Sequence, residues 1–153
     1  MKAIISKGID GTVGIGAKLG RLLKGGDVVA LVGELGSGKT TLVKGIAEGL
    51  GVKDSRYVNS PSFVIIKEYR GNLPLYHFDI YRLDSPSDME TVGYREYFYA
   101  DGVSVIEWAD KIKELLPDEY LNIELSIKGK SEREIKIIPK GTRYDDLLRR
   151  LKL

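Results

Sequence analysis

No cysteine occurs anywhere in the chain. Its absence excludes disulfide stapling, thiolate catalysis and a cysteine-ligated zinc site, and it fits a reducing compartment. Long apolar runs are missing too: VVALV, the longest near the centre, falls far short of a membrane span. The opening MKAIISKGID is too short and too polar for a signal peptide, so the expected location is cytoplasmic, with no membrane partner. Neither sign of charge is in large excess. The formal net charge is +2, with charged residues at 30% and both signs interspersed, so no global field draws the chain to nucleic acid or anionic lipid. Internal repeats, low-complexity tracts and linkers are also lacking. What remains suits one domain over residues 1–153: the length favours a single core, and 42% apolar residues can fill it.

KAIIS reads as a short strand. Asp10 or Thr12 is placed to cap a helix running to about Lys24, with Val13, Ala17, Leu19 and Leu23 as its apolar face and Gly25 and Gly26 as its end. DVVALVG is a continuous apolar run bounded by glycine, the pattern of a strand buried on both faces. A helix is expected from residue 39 to about 50, closed by Gly51, and SRYVNSPSF is expected as a loop. FVIIKEY and LPLYHFDIYRL read as strands joined by a turn at Arg70, Gly71 and Asn72. Residues 85–99 suggest short helices and loop, VSVIEW a buried strand, and ADKIKELL a helix stopped before Pro117. YLNIELSIK and REIKIIP form a hairpin pattern, and TRYDDLLRRLKL an amphipathic helix. β-α-β units mixed with hairpins predict an α/β fold: a P-loop NTPase-like mixed sheet, parallel at the centre and antiparallel at its edges, with helices on both faces.

GELGSGKTTL contains the phosphate-loop pattern G-x-x-x-x-G-K-[ST] in full, as Gly33, Gly38, Lys39 and Thr40. A buried strand precedes it and a helix follows. Glycines let the backbone turn its N–H groups inward and approach phosphate oxygens closely. The helix N-terminus adds about half a positive charge. The expected cradle is formed by the amides of Gly36, Ser37, Gly38, Lys39, Thr40 and Thr41, with Lys39 reaching the β- and γ-phosphates and the Thr40 hydroxyl on Mg²⁺. The second glycine cluster, GIGAKLG, has the wrong spacing for a dinucleotide fingerprint and precedes the first buried strand, so it reads as a closely packed helix.

A phosphate loop needs an acid on the metal side. VSVIE ends an apolar strand with Glu107, and HFDIYR supplies Asp79; which of them orients water is open. On a strand, His77, Asp79 and Tyr81 share one face, and Phe78, Ile80 and Arg82 the other. His77 is the only histidine, and a lone histidine is more often a satisfied structural group than a catalyst. NSPSF, with Ser60 and Ser62, falls where a loop sensing the γ-phosphate would lie, although Ser-Pro also starts plain turns. A GTPase would need N-K-x-D and D-x-x-G; neither is present. A small-molecule kinase would want an arginine-rich lid, and residues 85–102 offer only Arg95.

GELGSGKTTLVKGIAEGLG, NSPSF, HFDIYRL and IEW, in this order and at these intervals, closely resemble the TsaE family, formerly YjeE. The likeness runs from about Thr12 to Trp108 and then thins, leaving mainly Arg133. The resemblance implies a small bacterial ATPase needed to make threonylcarbamoyladenosine on tRNA. It would use ATP/ADP and Mg²⁺, bind the TsaB–TsaD heterodimer, reset that complex between cycles, and meet tRNA through it. The resemblance puts Lys39 and Thr40 on phosphate and metal, and Asp79 and Glu107 on the metal side. It puts Ser60 and Ser62 in one switch-like loop, and His77, Tyr81 and Arg82 in a second. Trp108 follows the acid, Thr12 approaches the base, and Arg133 flanks the adenine. Ser62 stands where many members have threonine, and Ala109 and Asp110 replace a frequent Pro-Glu.

The expected reaction is slow hydrolysis of ATP to ADP and phosphate, stimulated by the partner, because no arginine is an evident finger in cis beyond Arg82. Two other classes compete: a phosphotransferase acting on a small hydroxyl compound, and a nucleotide-binding adaptor. The tail residues Lys140, Arg143, Arg149, Arg150 and Lys152 suit a solvated helix face, with a docking strip for tRNA or a partner as the alternative.

Overall fold

Apolar residues at every position of Val28–Val32 let one strand bury both faces, and the sheet is assembled around it. The computed structural model describes residues 1–61 and 65–153. In chain order the elements are β1 (Lys2–Lys7), α1 (Gly8–Gly20), β2 (Val28–Val32), α2 (Lys39–Gly49), β3 (Ile66–Tyr69) and β4 (Leu75–Asp79). Then come α3 (Asp88–Thr91), α4 (Tyr94–Phe98), β5 (Val103–Glu107), β6 (Tyr120–Ile127), β7 (Glu132–Lys140) and α5 (Thr142–Arg150). Among the described residues the sheet has seven strands in the order β1-β7-β6-β2-β5-β4-β3. The four central strands, β6, β2, β5 and β4, are parallel, while β1, β7 and β3 add antiparallel edges. This is the mixed sheet expected from the sequence.

The two faces of β2 feed two apolar clusters. Val29 and Leu31 join residues of α1, α2 and α5, including Leu19, Leu42, Ile46 and Leu147. Val28 and Ala30 join Phe78, Met89, Phe98 and Ile112, beneath α3, α4 and a 3₁₀ segment, Ala109–Leu115.

α1 and α2 meet backbone to backbone. A methyl group at Gly45 would stand 2.9 Å from the Gly16 Cα, and one at Gly20 would stand 2.9 Å from the Gly49 Cα. The GIGAKLG cluster is thus a helix-packing surface, matched by glycines four apart on α2. This contact seats α2, whose first residue is Lys39.

Several boundaries differ from the sequence expectation. α1 starts at Gly8, not after a cap at Asp10 or Thr12, because Gly8 at φ +68° turns the chain straight out of β1. The Thr12 hydroxyl bonds Ser6 Oγ at 2.8 Å instead. α1 ends at Gly20, before Lys24, and its buried face uses Ile15, while Val13 is only half-buried. β4 stops at Asp79, whose Oδ1 accepts the Tyr81 N–H at 3.1 Å and turns the chain. Tyr81 and Arg82 therefore lie in a turn and do not continue the strand's alternation. Ala109–Leu115 is 3₁₀, not α-helical, with a kink at Ile112. That spacing puts Ala109 and Ile112, three apart, on one buried side. On α5, Arg143 turns inward and bonds the buried Asp27 Oδ2 at 2.6 Å, while Arg149 bonds Asp146 at 2.9 Å on the solvated face.

Tyr144 ties α5 to the sheet. Its hydroxyl accepts the Val28 N–H at 2.8 Å, and burial raises the phenol above the usual tyrosine range. A raised folded value means the stabilisation is complete below about pH 10 and is lost as pH climbs past it. Tyr144→Phe should cost about 1–2 kcal/mol at pH 7 by leaving the Val28 N–H unpaired. Urea titrations should also show the variant lacking this alkaline loss. Gly45→Ala should destabilise the fold by about 1–3 kcal/mol through overpacking. Gly14→Ala, which meets nothing within 4 Å, should instead stabilise by about 0.5–1 kcal/mol in the same assay.

Candidate functional site

The loop between β2 and α2 needs two glycines in left-handed conformations: Gly36 at φ +80° and Gly38 at φ +102°. Gly38 is the N-cap residue of α2, with no side-chain cap bond and no acid in the first turn. The helix thus presents its first N–H groups without a side chain competing for them, which suits an anion. A cavity of about 270 Å³ lies in front of them, lined in part by Gly36, Gly38, Lys39, Thr40 and Thr41, with Ser60, Asp79 and Glu107 opposite. Ser37 is fully buried beneath the loop.

Lys39 is nearly buried. Its Nζ donates to the carbonyls of Gly33 at 2.6 Å and Glu34 at 2.9 Å. The same ammonium lies 3.9 Å from the centre of the Trp108 ring. Desolvation lowers its pKa below the usual lysine value, against the opposing pull of Glu107, Asp79, Asp110 and Glu34. Trp108 itself has φ +65°, a left-handed conformation that costs a non-glycine residue about 1–3 kcal/mol. Tyr81 also packs against the Trp108 ring, with ring centres 4.8 Å apart, and Lys111 Nζ donates to the Tyr81 carbonyl.

The two acids end neighbouring strands. The parallel register of β4 and β5 pairs Asp79 with Glu107. Glu107 is 2% exposed and accepts the Thr40 hydroxyl at 2.8 Å. His77, fully buried in β4, places Nε2 2.6 Å from Glu107 Oε2. Asp79 accepts the Ser60 hydroxyl and the Tyr81 N–H. Burial raises its carboxyl above the usual value, with Glu107 adding to the rise and the Tyr81 bond, His77 and Lys39 opposing it.

The structure therefore brings Lys39, Thr40, Ser60, His77, Asp79, Glu107 and Trp108 together. His77 sits inside a strand rather than in a switch-like loop. Arg82 lines an adjoining cleft of about 370 Å³ with Leu35, Pro61 and Tyr81. Thr12 and Arg133 lie apart from the acids, lining another cavity of about 260 Å³ with Gly38, Thr41, Lys130 and Ser131. Arg133 Nε also donates to the Gly36 carbonyl at 3.3 Å. Ser62 falls outside the described residues. Sequence reasoning missed Ser6, which holds Thr12, and Lys130, Ser131 and Leu35, which line these cavities. Leu35 lies inside the glycine loop, a signal that could have found it; the other three carry no local signal, and only the folded neighbours reveal them.

Oxygen donors from Thr40, Asp79 and Glu107 suit a hard cation. Among the described residues no group of three or more metal-binding side chains forms a cage. Mg²⁺ characteristically uses one or two carboxylates, with phosphate and water completing its shell, so the donor set fits it.

A buried parallel strand, a glycine loop entering a helix at Lys39, and acids on the next two strand ends define a P-loop NTPase-like α/β protein. The profile of the TsaE family, described as threonylcarbamoyl adenosine biosynthesis protein, matches residues 6–135, and the chain belongs to that family. It is 52% identical over 129 residues to the tRNA threonylcarbamoyladenosine biosynthesis protein TsaE of Bacillus subtilis, covering 84% of this chain and 79% of the relative. The protein of the same name from Treponema pallidum is 41% identical over 133 residues, covering 87% and 97%. The crystal structure of Bacillus subtilis YdiB matches with a TM-score of 0.82 and 40% identity, covering 98% of this chain and 93% of that one. Among the described residues no helix is long and apolar enough to cross a membrane.

Trp108 is the only tryptophan, so its emission reports on the ammonium above it. Lys39→Met should shift the fluorescence of the nucleotide-free protein while leaving its circular dichroism unchanged. An unaltered spectrum would show that the lysine does not rest on the indole.

Proposed function

We propose that this protein is a Mg²⁺-dependent ATPase that serves threonylcarbamoyladenosine formation on tRNA. It works in the cytoplasm on the TsaB–TsaD complex and meets tRNA through that complex. The observation that carries the reading is the 2.8 Å bond from Thr40 to Glu107, formed beside the uncapped N-terminus of α2. A hydroxyl and a carboxylate already converge next to free backbone amides, as a phosphate-bound cation requires. Membership of the TsaE family supports the biological setting.

The amides at the start of α2 take the phosphate oxygens, and Lys39 exchanges the Gly33 and Glu34 carbonyls for them. Thr40 and Glu107 would hold Mg²⁺, which would supply positive charge against the phosphates. Asp79 orients the attacking water. Its raised pKa suits an acceptor of a proton, and its carboxylate faces the same cavity. Water oxygen bonds to the γ-phosphorus, the bond to the bridging oxygen breaks, and ADP keeps that oxygen. Thr12 and Arg133 border the cavity available to the adenine. Ser60, Tyr81 and Arg82 form the edge that responds to the γ-phosphate. The exposed side chains of Leu35 and Tyr81 beside it supply apolar surface for the partner.

Arg82 lines the adjoining cleft, not the phosphate cavity. An arginine finger is typically worth about 10³–10⁵ in rate, so the isolated chain should turn over slowly. Phosphate release should rise when TsaB–TsaD is added, and should vanish with EDTA or in Lys39→Ala. Rapid hydrolysis indifferent to TsaB–TsaD would sink the proposal. The adjoining cleft of about 370 Å³ favours one second reading, a kinase acting on a small hydroxyl compound. Labelled ATP offered with a metabolite mixture separates the two, since label in an organic acceptor would select the kinase.

A further inference from the structure

His77 is fully buried, yet the proposed mechanism gives it no task. Its hydrogen bond among the described residues is the 2.6 Å contact from Nε2 to Glu107 Oε2. Nδ1 is buried with no hydrogen-bond partner among the described residues. A buried polar atom left unpaired costs stability, and an apolar side chain would fill the place without that cost. The imidazole is therefore explained by what Nε2 does.

The sheet sets the geometry. His77 and Asp79 are two apart on β4, so they share a face, and the register puts Glu107 beside Asp79. Glu107 reaches back along that face to His77 with Oε2, while Thr40 Oγ1 on α2 bridges both carboxylate oxygens, 2.8 Å from Oε1 and 3.0 Å from Oε2. A carboxylate opposite Nε2 at this distance requires the hydrogen on that nitrogen, because two lone pairs would repel. The unpartnered Nδ1 agrees, since an unpaired acceptor is tolerated better than an unpaired buried N–H.

We infer that His77 is the positioning residue for Glu107: its Nε2 hydrogen fixes the rotation of the carboxylate and holds it against the Thr40 hydroxyl, which meets both oxygens. The inference rests on the ATPase reading for its consequence in turnover, but not for its geometry. The ring acts through Glu107 and touches no reacting atom.

Two measurements test it. With one histidine in the chain, nitrogen-15 NMR of the intact nucleotide-free protein resolves a single imidazole. The ring proton should be on Nε2, strongly downfield, and should move upfield in Glu107→Ala. A proton on Nδ1, or a shift indifferent to that substitution, overturns the inference. In steady-state assays with TsaB–TsaD, His77→Leu should lower kcat by about 10- to 100-fold, with KM for ATP little changed. His77→Gln, whose side-chain amide can donate from a similar position, should recover most of it. Equal loss in both variants, tracking a fall in Tm, would mean a packing role and would also overturn it. If the parent turns over and His77→Leu keeps its kcat, the inference fails while the ATPase reading stands. A parent with no turnover removes the ATPase reading, and the NMR result still decides whether His77 holds Glu107.

Discussion

The parallel pairing of β4 with β5 is the constraint on which the site depends. It places Asp79 level with Glu107 at one end of the sheet, where β2 also gives way to the glycine loop. Parallel strands begin and end on the same sides, so three consecutive strands, β2, β5 and β4, deliver their C-terminal residues to one crevice. Had β4 run antiparallel, Asp79 would stand at the far end of the sheet. The helix that completes the crevice is held by a different contact, the backbone approach of α1 to α2 across four glycines. Sheet register sets the acids, glycine packing sets the amides, and Thr40 bonded to Glu107 joins the two.

The resulting site is under electrostatic tension. Burial disfavours charge on both Lys39 and Asp79, pushing the lysine down and the carboxyl up. Protein groups occupy the positions a ligand would use: loop carbonyls hold Lys39, Glu107 holds the Thr40 hydroxyl, and Ser60 holds Asp79. Trp108 adds a strained backbone at the junction, with the ammonium on its ring. Because each of these groups already has an internal partner, the site is ordered in advance of any ligand. This preorganisation also explains why so many polar side chains lie buried together in a chain of modest size.

Much of the fold was legible because its signals are local. Continuous apolar runs marked β2 and β5, and the glycine-bounded stretch from Lys39 marked α2. The glycine cluster GIGAKLG, read as a closely packed helix, is the surface on which α2 rests. The failures share one cause. Alternation in HFDIYR extends past Asp79 on paper, but the Asp79 side chain captures the Tyr81 N–H and ends the strand. Thr12 looks like a helix cap, but Ser6 claims its hydroxyl. ADKIKELL has helical periodicity, but it follows a left-handed Trp108 and must bury Ala109 and Ile112 together.

The sequence by itself determined the family and the glycine-loop pattern, and it marked both acids as candidates, since each rests on residue types at short fixed spacings. Only the tertiary structure decided that His77 belongs to Glu107, that Lys39 rests on Trp108, and that Thr12 and Arg133 border a cavity separate from the acids. Those relations join residues distant in the chain and follow from strand register and helix seating. No local pattern carries them, because a hydrogen bond depends on where two backbones come to lie and not on how far apart their residues are counted.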